Sequence, residues 1–148
     1  MDMAVAISEL MTQHHQECDG YFASAENAVA QGKWDQAAGL FQQFENALIL
    51  HLRREEDILF PAFETETGQT GGPTQMMRME HEQMRALAQN LKSACEARDK
   101  NSYLGNSETL LVLMQQHNMK EEQILYPMMD RALDADADVL VAEVTSLD

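Results

Sequence analysis

HLRREEDILFP, residues 51–61, returns as HNMKEEQILYP, residues 117–127, after a constant offset of 66. The shift carries His51 onto His117, Glu55 onto Glu121, Glu56 onto Glu122, Phe60 onto Tyr126 and Pro61 onto Pro127. It also carries His15 onto His81. Imidazoles and carboxylates are kept while the residues around them drift, which points to a two-part metal site. The repeat sets the architecture as well, because each copy has room for two helices.

Outward from these segments, apolar residues recur in steps of three and four, the seam of a packed helix. A first helix is expected over about 2–31, with Met11, His15, Cys18, Phe22, Ala25 and Val29 on its inner stripe, closed by Gly32. A second, from about Trp34 to Phe63, carries Phe44, Ala47, Leu48, His51, Glu55, Ile58 and Leu59 on one face. TETGQTGGP, Thr65 to Pro73, is the one stretch that reads as a true loop.

Pro73 suits the first position of a third helix, whose stripe is Met77, His81, Met84, Ala88, Leu91 and Cys95. A fourth, about Ser102 to Leu133, presents Leu110, Leu113, Met114, His117, Glu121, Ile124 and Leu125. Residues 134–148 read as a short amphipathic C-terminal helix or tail. Pro61 and Pro127 are expected to kink or end the long helices. The expectation is an all-α single domain over 1–148. Its fold would be an up-down-up-down four-helix bundle whose two helical hairpins are related by a pseudo-twofold axis.

A net charge of −15 argues against a nucleic-acid or anionic-membrane surface. The apolar runs are too short to span a bilayer, and the N-terminus lacks a charged-then-apolar leader. Cys18 and Cys95, with no CxxC, do not make a disulfide framework, and a soluble cytoplasmic protein is the default.

Positions i and i+4 lie one turn apart on one helix face, so His51 with Glu55, and His117 with Glu121, can turn toward one point. His15 and His81 lie on the core stripes of the other two helices. Burying six such groups unpaired would cost several kcal/mol each, and a pair of divalent cations would neutralise them. Each cation could take two histidine nitrogens and one oxygen from each glutamate, leaving open positions for a further ligand. One histidine on an apolar stripe, or one HxxxE, is ordinary. Four histidines and two glutamates in one repeated frame are not.

Order, spacing and helix phase together resemble the hemerythrin-like family, the HHE cation-binding bundles, over about Ile7 to Leu133. The resemblance implies a non-haem di-iron centre, with His15 and His51 on one iron and His81 and His117 on the other. Glu55 and Glu121 would bridge the two. The chain departs from oxygen-carrying hemerythrins at two places. Arg85 stands where their third helix completes HxxxH, which argues against reversible oxygen carriage. Their last carboxylate falls five residues after the fourth-helix histidine, at Glu122 here. The repeat favours Glu121, with Glu122 as the alternative. Two HxxxE motifs with four histidines look more like the di-iron domain of iron–sulfur cluster repair proteins, whose cysteine-bearing N-terminal domain is absent from this chain.

Around this set, His14 reads as a solvated residue, Arg85 as a carboxylate partner near the site or a surface ion pair, and Glu56 and Glu122 as helix-surface or outer groups. Cys18 reads as a packed thiol, the methionines as core filler, and Tyr21 and Tyr126 as packing or outer hydrogen-bond donors. The expected function is binding of, or reaction with, a small ligand such as dioxygen, nitric oxide or peroxide at two iron ions. A non-redox zinc, manganese or nickel bundle is the alternative, since these donors do not choose among such ions.

Overall fold

A computed structural model describes residues 5–147. The chain runs α1 (Ile7–Ala30), α2 (Trp34–Arg54), a π-helical turn (Glu55–Leu59) and α3 (Phe60–Thr67). Then follow α4 (Pro73–Glu96), α5 (Lys100–Lys120), a second π-helical turn (Glu121–Leu125), α6 (Tyr126–Ala132), a 3-10 turn (Asp134–Asp136) and α7 (Ala137–Ser146). Among the described residues all regular structure is helical. The ends of α1 and α2 become those of α4 and α5 under the same offset of 66 that relates the sequences. The repeat is thus structural as well as textual.

α1 packs on α2 and α5, and α4 packs on α5 and α2, so the four long helices close a ring of contacts. Two apolar clusters fill the ring. One contains Phe22, Phe41, Phe44, Leu91, Tyr103 and Leu110. The other contains Ile7, Met11, Leu59, Phe60, Phe63, Tyr126 and Met129, with Leu140 and Val144 of α7 closing its end. Each fully buried Leu, Ile or Phe stabilises by roughly 1.5–3 kcal/mol, which is what allows a polar centre to be held between the clusters. No helix among the described residues is long and apolar enough to cross a membrane.

The prolines do not end the helices. Phe60 N–H bonds the Glu55 carbonyl, and Tyr126 N–H bonds that of Glu121, each five residues back rather than four. The extra residue in each turn accommodates a proline that has no N–H and would clash with a carbonyl four residues back. The rod then continues, through α3 to Thr67 in the first hairpin. The phase of the buried face slips as a result. Ile58 is only half-buried and Ile124 is 58% exposed, whereas Phe60 and Tyr126 are fully enclosed. The inward assignment of Ile124 is therefore corrected, while Ile58 packs against the edge of the second cluster.

The other boundaries differ in detail. α1 begins at Ile7, and the expected start near Asp2 lies outside the described residues. Gly32 takes a left-handed φ of 72° just after α1, a conformation glycine adopts without steric cost. Its counterpart after α4 is Arg98, at φ 52°. The C-terminal segment is helical from Ala137 to Ser146.

Candidate metal centre

The fold brings His15, His51, Glu55, His81, His117 and Glu121 together between the two apolar clusters, all of them buried. α1 supplies His15 and α4 supplies His81, while each HxxxE closes a long helix at the start of its π turn. Two groups of metal-ligand type form within this set. Glu55, His81, His117 and Glu121 make one, and His15, His51 and Glu121 make the other. Glu121 belongs to both. Its Oε1 lies 2.9 Å from His15 Nε2, 3.2 Å from His117 Nε2 and 3.9 Å from His51 Nε2. Glu55 Oε1 lies 3.0 Å from His81 Nε2 and 3.7 Å from His51 Nε2.

The first group is under-satisfied in a telling way. His81 Nε2, His117 Nε2, Glu55 Oε1 and Glu121 Oε2 are buried and have no hydrogen-bond partner among the described residues. His81 Nε2 and Glu55 Oε1 are within reach of each other but not aligned as donor and acceptor. Buried polar atoms left in this state are costly, at about 1–3 kcal/mol each. Lone pairs of imidazole and carboxylate converging on one point suit a divalent cation, which would satisfy all four at once. The residues present therefore fit a metal ion.

Behind three of the rings stand carboxylates. His15 Nδ1 donates to Glu122 at 2.6 Å, His81 Nδ1 to Glu56 at 2.7 Å and His117 Nδ1 to Glu80 at 2.7 Å. These bonds fix the tautomer, leaving Nε2 to face the centre. Arg85 holds Glu56 through two bonds, of 2.9 and 2.7 Å, and Lys120 holds Glu80 at 2.6 Å. His51 differs: its Nδ1 is buried without a partner, with His14 edge-on at 6.1 Å and Arg54 3.1 Å from His14 Nε2. Glu56 and Glu122, expected at the helix surface or as outer groups, and Arg85 are thus part of the orienting layer of the centre, together with Glu80, which the sequence reading did not single out. Each of the three glutamates adjoins a candidate donor in the chain, Glu56 beside Glu55, Glu80 beside His81 and Glu122 beside Glu121, and that adjacency was the available signal.

The electrostatics follow this layout. Burial alone would lower the histidines, but bonds and charge from Glu121, Glu55 and Glu122 outweigh it at His15 and raise its pKa to about 9. At His81, Glu55 and Glu56 do the same, again to about 9. His117 is raised against burial by Glu121 and Glu55. At His51 burial wins, helped by the positive charge of His15 and His14, and its pKa falls to about 3. The two central carboxylates share their site unequally, as neighbouring like charges must. Burial and the charge of Glu121 push Glu55 up to about 8. Glu121 is held low, against its burial, by a bond from Glu55 and by His117 and His15. Burial and Asp19 push Cys18 up to about 12, so its thiol is not a reactive one.

Tyr126, expected as packing or an outer hydrogen-bond donor, makes such bonds to the candidate donors themselves. Its hydroxyl donates to Glu55 Oε2 at 2.7 Å and lies 3.0 Å from Glu121 Oε1, 3.1 Å from His15 Nε2 and 3.4 Å from His51 Nε2. An unbroken α-helix would not present residue 126 on the face of Glu121; the π turn does. Phe60, at the same place in the first hairpin, stacks on His81 with centroids 5.6 Å apart. Tyr21 is exposed and plays no part.

In comparison with known families, residues 6–129 match the hemerythrin HHE cation binding domain. The chain belongs to this family. Neither curated proteins nor solved structures yield a match. Family membership and the two His/Glu groups agree that this is a cation-binding bundle.

Proposed function

We propose that the chain is a cytoplasmic, non-haem di-iron protein, one domain over 1–148 in an up-down-up-down bundle. In this reading it binds or reacts with a small ligand such as dioxygen, nitric oxide or peroxide. His15 and His51 would hold one iron, His81 and His117 the other, and Glu55 and Glu121 would span the pair. The observation that carries the reading is the set of four buried donor atoms, unpartnered among the described residues, that converge from α4, α5 and the two π turns. Two irons would supply adjacent redox-active ions able to exchange electrons with a small ligand.

The protein's own part is to orient and to exclude water. Glu122, Glu56 and Glu80 aim three imidazoles. A small cavity touches His15, His51 and His117 and is otherwise walled largely by Leu48, Leu52, Met84 and Met114. A pocket of that size and lining suits a diatomic or peroxide ligand better than a metabolite. Sensing, scavenging or supplying iron for iron–sulfur cluster repair are the roles this reading covers, and an Arg85 in place of a fifth histidine favours these over oxygen carriage.

Metal analysis of freshly isolated protein should give about two irons per chain, with a visible spectrum that shifts on adding azide or nitric oxide. His51→Ala and His117→Ala should each remove most of the metal from one half. Full metal retention in both variants would refute the assignment. A colourless protein loaded with zinc or manganese would move the function to the non-redox class.

A further inference from the structure

We propose that Tyr126 is itself a metal ligand, binding through its phenol oxygen to the cation of the His15/His51 half and to that cation only. The inference rests on the di-metal reading above and adds a donor to it. Without Tyr126 the two halves are unequal: four donors converge in one, and three, His15, His51 and Glu121, in the other. The phenol oxygen supplies the fourth.

The distances fit that role. Metal–nitrogen and metal–oxygen bonds of about 2.0–2.2 Å put neighbouring donors on one ion about 2.9–3.4 Å apart. The hydroxyl lies 3.0 Å from Glu121 Oε1, 3.1 Å from His15 Nε2 and 3.4 Å from His51 Nε2, all within that span. His15 Nε2 and Glu121 Oε1 are 2.9 Å apart, and the edge from His51 to Glu121 is longer, at 3.9 Å.

Nor can the ring stand aside for a cation. Tyr126 is fully buried, stacked on His15 with centroids 5.5 Å apart and packed among Ile7, Met11 and Phe63. Any ion held by His15 and His51 therefore meets this oxygen. On coordination the O–H bond breaks, its proton leaves to solvent and the oxygen lone pair forms the bond to the metal. The other half has no such donor, because Phe60 occupies the equivalent position.

The test loads the intact chain with iron and compares it with Tyr126→Phe. Phe60 shows that the bundle accommodates phenylalanine at this place in the repeat, so the variant should fold. Ferric wild type should show a phenolate-to-iron charge-transfer band with tyrosinate modes in its resonance Raman spectrum. Tyr126→Phe should lose both and retain about one metal of two, because the Glu55/His81/His117/Glu121 donors are untouched. In zinc-loaded protein the same contact should read as the ultraviolet difference signal of a phenolate, absent from the variant.

Identical spectra and equal metal content in the two proteins would overturn the proposal. So would a gain of metal in Tyr126→Phe, which would mean that the hydroxyl fills the second position rather than binding an ion there. Failure of wild type to bind any divalent or ferric ion would instead bring down the di-metal reading, and this proposal with it.

Discussion

The two hairpins share a backbone and a set of ligand-type side chains, and differ in what surrounds them. Behind His117 stands Glu80, held by Lys120; behind His51 the same positions are His14 and Arg54. Behind His81, Glu56 is clamped by Arg85. Behind His15, Glu122 has no such clamp among the described residues, and the counterpart of Arg85 is Asp19, whose carboxyl is raised by burial and by the charge of Glu122. Duplication therefore decides where the donors stand, and drift around them decides how firmly each half holds an ion. An imidazole whose second N–H is bonded to a carboxylate is both oriented and more basic. The His81/His117 half has two such rings and should bind its cation more tightly.

The largest expected effect is that of Glu80→Ala. It removes the acceptor behind His117 and should weaken the tighter binding step by about 10–100-fold, read by calorimetry or chelator competition. An unchanged first step would break the comparison at its strongest point. The reciprocal change, His14→Glu, gives His51 the acceptor its counterpart has. It should tighten the weaker step by about tenfold and bring the two affinities together. If the gap persists, the inequality originates somewhere other than the His51 Nδ1.

A smaller, pH-dependent difference should be visible in metal-free protein by imidazole NMR. His51 should stay neutral down to about pH 3, while His117 keeps its proton past the ordinary 6.5. The signs for stability are then opposite. His51, with its folded pKa depressed, contributes above 6.5 and loses that contribution as pH falls toward about 3. His117, raised, contributes below 6.5 and loses it as pH climbs through its folded value. Coincident titration of the two rings would remove the electrostatic side of the comparison.

The smallest effect lies far from the centre. Arg98 holds at φ 52° the turn that Gly32 holds in the first hairpin. Arg98→Gly should stabilise the chain by about 0.5–1 kcal/mol in urea unfolding, since its exposed ion pair with Asp35 contributes little. A loss of stability would show that this turn is not strained.

Much of this was legible in the residues. The inner stripes of α1 and α4, from Met11 to Val29 and from Met77 to Cys95, are buried as their spacing predicts. The six candidate donors meet because helical periodicity and a constant offset are both local properties of the chain. What was not legible begins at the prolines. Their missing N–H can be answered by a kink, a helix end or a widened turn, and hydropathy does not distinguish these. The widened turn moved Ile124 outward, left Ile58 half-buried and turned Phe60 and Tyr126 inward.

The chain's order of residues thus determined the helical repeat, the convergence of four imidazoles with two carboxylates, and the family. Only the packed structure decided which groups stand behind each ring and which aromatic reaches the centre. Those depend on how neighbouring helices face one another and on one extra residue per turn. Periodicity along a single helix carries no record of either.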